Sequence, residues 1–137
     1  MQATGIIAEY NPFHNGHLYH IQETKRLTQQ PVIVIMSGSF MQRGEPAILS
    51  KWQRASCAVQ GGADLVLEIP CVFTLRSAEF FAKGAVQLLA ATGCVNTLAC
   101  GTEHPQSDFK AAASLACSAE AQARLRKLLQ NGFSYAQ

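Results

Sequence analysis

The chain has 137 residues, enough for one domain with its own hydrophobic core, and 48% are apolar, which excludes wholesale disorder. Charged residues are only 15%, against roughly 25% in an average soluble domain, so part of the surface is expected to be covered by something else. Eleven basic and nine acidic residues leave a net charge of +2; that excludes the strongly basic footprint of a self-sufficient nucleic-acid binder but not nucleic-acid binding by a larger molecule.

In chain order, Thr4 to Ala8 reads as a strand, followed by a polar, turn-rich segment from Glu9 to Gly16. A helix is predicted over Gly16 to Gln29, with Leu18, Ile21 and Leu27 near helical spacing. Pro31 ends it, and Val32 to Met36 is apolar throughout, as a strand buried on both faces should be. Gly38, Gly44 and Pro46 mark Ser37 to Ala47 as a loop. Ser50 is placed to cap a helix reaching Gln60, which Gly61 and Gly62 stop. Asp64 introduces a third strand, Leu65 to Ile69, closed by Pro70. Ser77 caps a helix over Ala78 to Ala91, and after Gly93 a fourth strand runs from Val95 to Cys100. Ser107 and Asp108 then start one long alanine-rich helix to about Gln130, a covering helix with Arg124, Arg126 and Lys127 on a solvated face near its end. Strand and helix alternate with crossovers long enough for parallel pairing. The expected fold is α/β, one domain with an open parallel sheet and helices on both faces.

Val32 to Met36 and Leu65 to Phe73 are the best apolar runs, far short of the roughly 20 residues of a spanning helix, so no membrane segment is expected. Nor does the start of the chain have the pattern of a signal peptide. Cys57, Cys71, Cys94, Cys100 and Cys117 contain no CxxC pair. They read as reduced, mostly buried thiols of a cytoplasmic protein. Trp52, Phe80 and Phe81 are expected in the core or in interdomain packing rather than as base-stacking platforms.

The chemistry concentrates in Glu9-Tyr10-Asn11-Pro12-Phe13-His14-Asn15-Gly16-His17, where the first strand hands over to the first helix. In a parallel sheet this carboxyl edge is where ligands bind. A helix N-terminus there favours phosphate, Gly16 permits close backbone approach, and His14 and His17 stand three residues apart. Donors aimed at an α-phosphate would stabilise the charge that builds in nucleotidyl transfer. The plainer alternative is a turn whose histidines satisfy backbone groups. A metal site from His14, His17 and His20 is weaker, because no carboxylate stands at matching spacing. Contact with phosphate would raise the histidine pKa values.

The strand followed by HxGH resembles the nucleotidyltransferase superfamily that shares this signature with class I aminoacyl-tRNA synthetases. Gly5 through His17, Met36 through Ala47, Ser50-Lys51-Trp52, Gly62 through Pro70 and Cys100-Gly101-Thr102-Glu103 together resemble the bacterial tRNA(Met) cytidine acetate ligases. The resemblance covers essentially the whole chain. It implies a Rossmann-like nucleotidyltransferase fold and an ATP-dependent enzyme that makes acetyl-adenylate, releases pyrophosphate and acetylates the wobble cytidine of elongator tRNA(Met). By that similarity ATP would be held by Ile7, Ala8, Glu9, Tyr10, Asn11, Pro12, Phe13, His14, Asn15, Gly16, His17, Leu18, Tyr19, His20 and Gly101, with magnesium as its companion. His14, His17 and Lys51 would be catalytic.

Gln42, Arg43 and Lys51 supply donors for a small carboxylate such as acetate or for a triphosphate; surface charge on a loop is the alternative. Arg43 pairing with Glu45 is another. Asp64 reads equally as a turn-starting residue and as a ligand of magnesium through water. Glu68, inside an apolar strand, calls for Lys51 or Arg76 as partner, or for a strand-end position. Glu103 and His104 follow Gly101 and stand near the same cleft. The family's second nucleotide motif, a serine-rich turn with a basic residue before a helix, is not seen, and Phe133-Ser134-Tyr135-Ala136-Gln137 reads as interior sequence. Residues 1–137 are therefore expected to be the N-terminal part of an ATP-binding domain, without its C-terminal part or tRNA-binding region, and inactive or nearly so alone. Two alternatives are a nucleotidyltransferase for a phosphorylated metabolite and a non-catalytic nucleotide-binding module.

Overall fold

A computed structural model describes residues 2–102, 104 and 108–133. They form two compact units, divided after Gly101, where the sequence pattern suggested one domain. The first unit runs β1 (Ala3–Ala8), α1 (Asn15–Thr28), β2 (Val32–Met36), α2 (Lys51–Gln60), β3 (Leu65–Glu68), α3 (Cys71–Thr74), α4 (Ala78–Ala91) and β4 (Val95–Ala99). The four strands form one sheet in the order β3-β2-β1-β4, and every pair is parallel. Ile6 in β1 lies between Val34 of β2 and Ala99 of β4. The expected parallel α/β fold is what the chain adopts.

Both faces of the sheet are packed. Val32, Val34 and Met36 join Ile6, Tyr10, Ile21 and Ala58 on the α1–α2 face, whereas Ile33 and Ile35 join Ala3, Ile69, Ala85 and Leu89 on the α4 face. Alternate side chains of a strand point to opposite faces, so a strand covered on both is apolar throughout. The chain adds β2 and β3 on one flank of β1 and then returns to put β4 on the other. The reversal opens a crevice outside the carboxyl ends of β1 and β4, the usual ligand position in such sheets.

The element ends follow local chemistry. Ser50 Oγ accepts from Gln53 N at 3.3 Å, and the Gln53 side chain reaches back to Ser50 N at 3.1 Å, a reciprocal cap. α1 ends at Gln29, whose φ of 54° turns the chain out of the helix. Pro70 closes β3 as expected, but the residues just after it, to which the sequence pattern assigns no element, form a single helical turn, α3. Glu68 is the last residue of β3, not an interior one, and its carboxylate meets Lys51 Nζ at 2.6 Å.

In the second unit the expected single helix is two, α5 (Phe109–Ala116) and α6 (Ala119–Gln130). The break falls at Cys117–Ser118. Ser118 Oγ accepts from Ala121 N at 3.2 Å and so starts a new helix instead of continuing the old one. Asp108 caps α5; Ser107, expected to start it, and Glu103 lie outside the described residues. His104 is described, and its backbone N–H donates to Thr102 Oγ1. No helix among the described residues is long and apolar enough to cross a membrane.

Two expectations about packing are corrected. Cys71, Cys100 and Cys117 are exposed, and Cys57 and Cys94 half-buried, so the free thiols are not mostly buried. Trp52 is 76% exposed rather than in the core. It lies in the first turn of α2, nearly opposite buried Arg54. Phe81 does pack against the α4-side core.

Candidate functional site

The crevice between the ends of β1 and β4 is a cavity of about 560 Å3. Ile7, Ala8, Glu9, Tyr10, Asn11, Pro12, His14, His17 and His20 line it, with Leu98 to Gly101 from the end of β4. A Cβ at Gly101 would meet nothing within 4 Å, so this backbone stands open to the cavity.

His14 is the N-cap of α1. Its Nδ1 accepts from Gly16 N at 3.1 Å, and His17 Nδ1 accepts from His14 N at 3.3 Å. The two rings form a capping box in which imidazoles replace the usual hydroxyl and carboxamide. An imidazole nitrogen that accepts carries no proton, so each neutral ring holds its proton on Nε2. The rings stack with centroids 3.7 Å apart. The histidines therefore do satisfy backbone groups, and each retains an Nε2–H donor. A Cβ at Gly16 would come within 3.0 Å of His14 Cε1, so a larger residue would crowd the ring.

Burial, with the charges of His14 and His20, holds the His17 pKa below its ordinary value of 6.5, and burial lowers that of His20 as well. Tyr10 lies beneath them, its ring centroid 4.8 Å from that of His17, and burial pushes its hydroxyl up to about 12. Tyr10 OH and His20 Nε2 are both buried with no hydrogen-bond partner among the described residues. The crevice thus offers neutral N–H and O–H donors at the positive end of a helix, a set suited to an anionic group such as phosphate.

The other expected residues are placed differently. Phe13 packs on the α1–α2 core and, with Leu18, approaches Gly61. Asn15 is exposed at the first position of α1. Gly16 and Tyr19 line an adjoining, largely apolar groove of about 320 Å3 that shares His20 and Gly101 with the crevice. Lys51, Gln42 and Arg43 do not line the crevice. Lys51 is held by Glu68, and Gln42 Nε2 donates to Arg76 O at 2.8 Å. Arg43 is exposed, and no Arg43–Glu45 ion pair is present among the described residues. Asp64 stands at the opposite, amino edge of the sheet. It accepts from Val32 N at 2.7 Å and meets Lys25 Nζ at 2.8 Å, which excludes a magnesium role in the crevice. Burial raises its pKa, but the bonds from Lys25 and Val32 outweigh that and leave it lowered.

The residue that sequence reasoning missed is Arg54. It is 0% exposed, although it is charged and in a helix. Its guanidinium donates to the carbonyls of Glu9 at 2.6 Å, Ser37 at 3.1 Å and Leu49 at 3.1 Å, and to that of Gly38. Burial lowers its pKa, while the carboxylates of Glu9 and Glu68 oppose the shift. Arg54 stands one turn before buried Ala58, on the face that packs, and that position was the available signal. Glu9 Oε1 and Asn11 Oδ1 accept from Gln42 N and Ile48 N, at 2.6 and 2.8 Å, so these two side chains serve the loop.

A parallel sheet with a histidine-capped first helix at its switch point defines a nucleotidyltransferase-type α/β fold. The family model described as HIGH Nucleotidyl Transferase matches residues 1–137, and the chain belongs to that family. Within it, the chain is similar to proteins named tRNA(Met) cytidine acetate ligase. It is 56% identical to that of Leuconostoc mesenteroides over 110 residues, covering 80% of this chain and 28% of the relative. For Clostridium acetobutylicum the identity is 57% over 104 residues, 75% of this chain and 26% of the relative. For Alkaliphilus metalliredigens it is 46% over 139 residues, 98% of this chain and 33% of the relative. The chain thus spans a third or less of the length of these relatives. A crystal structure of Thermotoga maritima TmcAL bound with alpha-thio ATP superposes with a TM-score of 0.84 at 42% identity, covering 99% of this chain and 34% of that one.

Proposed function

We propose that the chain is the N-terminal, ATP-binding part of an enzyme that activates acetate and acetylates the wobble cytidine of elongator tRNA(Met). One observation carries the reading: the His14–His17 capping box leaves two Nε2–H donors at the start of α1, in a crevice that holds two further polar atoms without partners among the described residues. The names of the relatives and the ATP analogue bound by the Thermotoga protein support the substrates. Their greater length supports a division of labour in which most tRNA contacts are made by sequence other than this chain.

A crevice of about 560 Å3 accommodates a nucleoside triphosphate. The orphaned Tyr10 and His20 atoms fit its polar groups, and the open Gly101 backbone fits its base or ribose. The acetate oxygen attacks the α-phosphorus, pyrophosphate leaves, and the histidine donors stabilise the charge on the α-phosphate oxygens. The cytidine amine then attacks the acetyl carbonyl, and AMP departs. Among the described residues no three His, Cys, Asp or Glu side chains gather as metal ligands. Magnesium would be held by phosphate oxygens and water, and would screen the charge of the triphosphate. The reading places the protein in the cytoplasm, with tRNA and reduced thiols.

The test is acetate-dependent ATP–pyrophosphate exchange by a full-length protein carrying this chain. His17→Ala is expected to lower the exchange rate roughly 100-fold or more, the usual cost of one such donor. An undiminished rate in the variant, or wild-type exchange that ignores acetate, contradicts the proposal.

A further inference from the structure

On the opposite flank of the same carboxyl edge, Gly38, Ser39, Phe40, Glu68, Cys71 and Thr74 enclose a smaller cavity of about 190 Å3. None of the six lines the larger crevice. Thr74, one of the lining residues, is 1% exposed, yet its Oγ1 has no hydrogen-bond partner among the described residues. Buried hydroxyls are normally paired, and among the described residues nothing pairs with this one. Glu68 is a second polar residue of the wall, beside Ser39. Lys51 engages its Oε2 at 2.6 Å, while Oε1 lies against Gly38, where a Cβ would overlap it. Glycine at that position keeps the carboxylate at the cavity wall.

We propose that this cavity is the subsite for the acceptor base, a 4-aminopyrimidine, recognised by Glu68 and Thr74; the identity of the base rests on the function proposed above. The volume suits one pyrimidine ring. A carboxylate accepts from the exocyclic amine of cytosine, as Glu and Asp do when they read that base. The Thr74 hydroxyl can donate to ring N3 or O2. Phe40, 43% exposed, offers a ring face for stacking. Uracil would place its O4, an acceptor, against the carboxylate and be rejected. Acetate would meet the same like charge, which favours the amine as occupant.

Two cation–aromatic pairs adjoin residues of the cavity, one at Lys51, which engages Glu68, and one at Arg76, two residues after Thr74. Lys51 Nζ lies 5.5 Å from the ring centre of Trp52, and the Arg76 guanidinium 3.9 Å from that of Phe80. Gln42 ties the cavity's loop to Arg76. Positive charge beside exposed aromatic rings is the surface that single-stranded RNA selects. The ends of β3 and β1 are two strands apart, about 10 Å, with the Arg54-bound loop after β2 between them.

The experiment uses a full-length protein carrying this chain and two anticodon stem-loop RNAs that differ only in C or U at the acceptor position. Binding is read by fluorescence anisotropy without ATP or acetate. The wild type is expected to prefer the C loop about tenfold or more, and Glu68→Gln and Thr74→Val are each expected to erase most of that preference. Thr74→Val keeps the shape and removes an unpaired hydroxyl, so its melting temperature should not fall below wild type. Equal wild-type affinities, or a preference retained in either variant, overturn the assignment. Failure of the proposed function shows separately, as wild-type protein without acetate-dependent exchange.

Discussion

Each histidine of the capping box spends one ring nitrogen on the helix and keeps the other for the crevice. This suits His better than the commoner Ser and Glu: an imidazole caps with one ring atom and donates with another, which a carboxylate cannot do. It also sets a pH dependence. His17 has its pKa lowered, by burial first and by His14 and His20 after it. As pH falls below 6.5 the unfolded chain takes up the proton before the folded one does. The contribution of neutral His17 to stability is therefore complete above that value and is lost as pH falls through the lower folded one. Urea midpoints measured from about pH 7.5 to about pH 5.5 should fall more for wild type than for His17→Asn. Nitrogen-15 NMR of the wild type near neutral pH should show a neutral His17 ring protonated on Nε2; an imidazolium signal would refute the assignment.

At the scale of elements, α2 is the brace of the site. Its Arg54 crosses under the chain and binds carbonyls at the end of β1 and in the loop after β2. Arg54→Met would leave those carbonyls unpaired in the interior, and is expected to cost about 3 kcal/mol in urea denaturation. Amide exchange at Gln42 and Ile48 should accelerate with it, because their acceptors Glu9 and Asn11 sit on the same braced turn. An unchanged midpoint would remove Arg54 from this role. The sequence shows where α2 begins and ends, through Ser50 and the paired glycines, because those signals are local. It conceals the use of Arg54, because that depends on carbonyls 16 to 45 residues away. Likewise Ser118 reads as one more residue of an alanine-rich helix until its hydroxyl is seen to cap.

For the whole molecule, the legible part was the alternation of strand and helix and the HxGH junction, since parallel topology follows from crossover length and the site from the carboxyl edge. The division of that edge was not legible. Lys51, Gln42 and Arg43 stand outside the crevice because β2 and β3 carry their segments to the far flank of the sheet. Pairing order, not local pattern, decides that. The low charge content leaves Trp52, Ile48 and Val72 exposed around that flank, which agrees with a surface meant to be covered.

The central claim is that His14 and His17 hold a triphosphate in the crevice between β1 and β4. Calorimetric titration of ATP into a full-length protein carrying this chain tests it most directly, with His14→Ala and His17→Ala beside the wild type. Loss of one donor to a charged group should weaken binding about tenfold or more in each variant. Equal affinity in all three proteins would contradict the account.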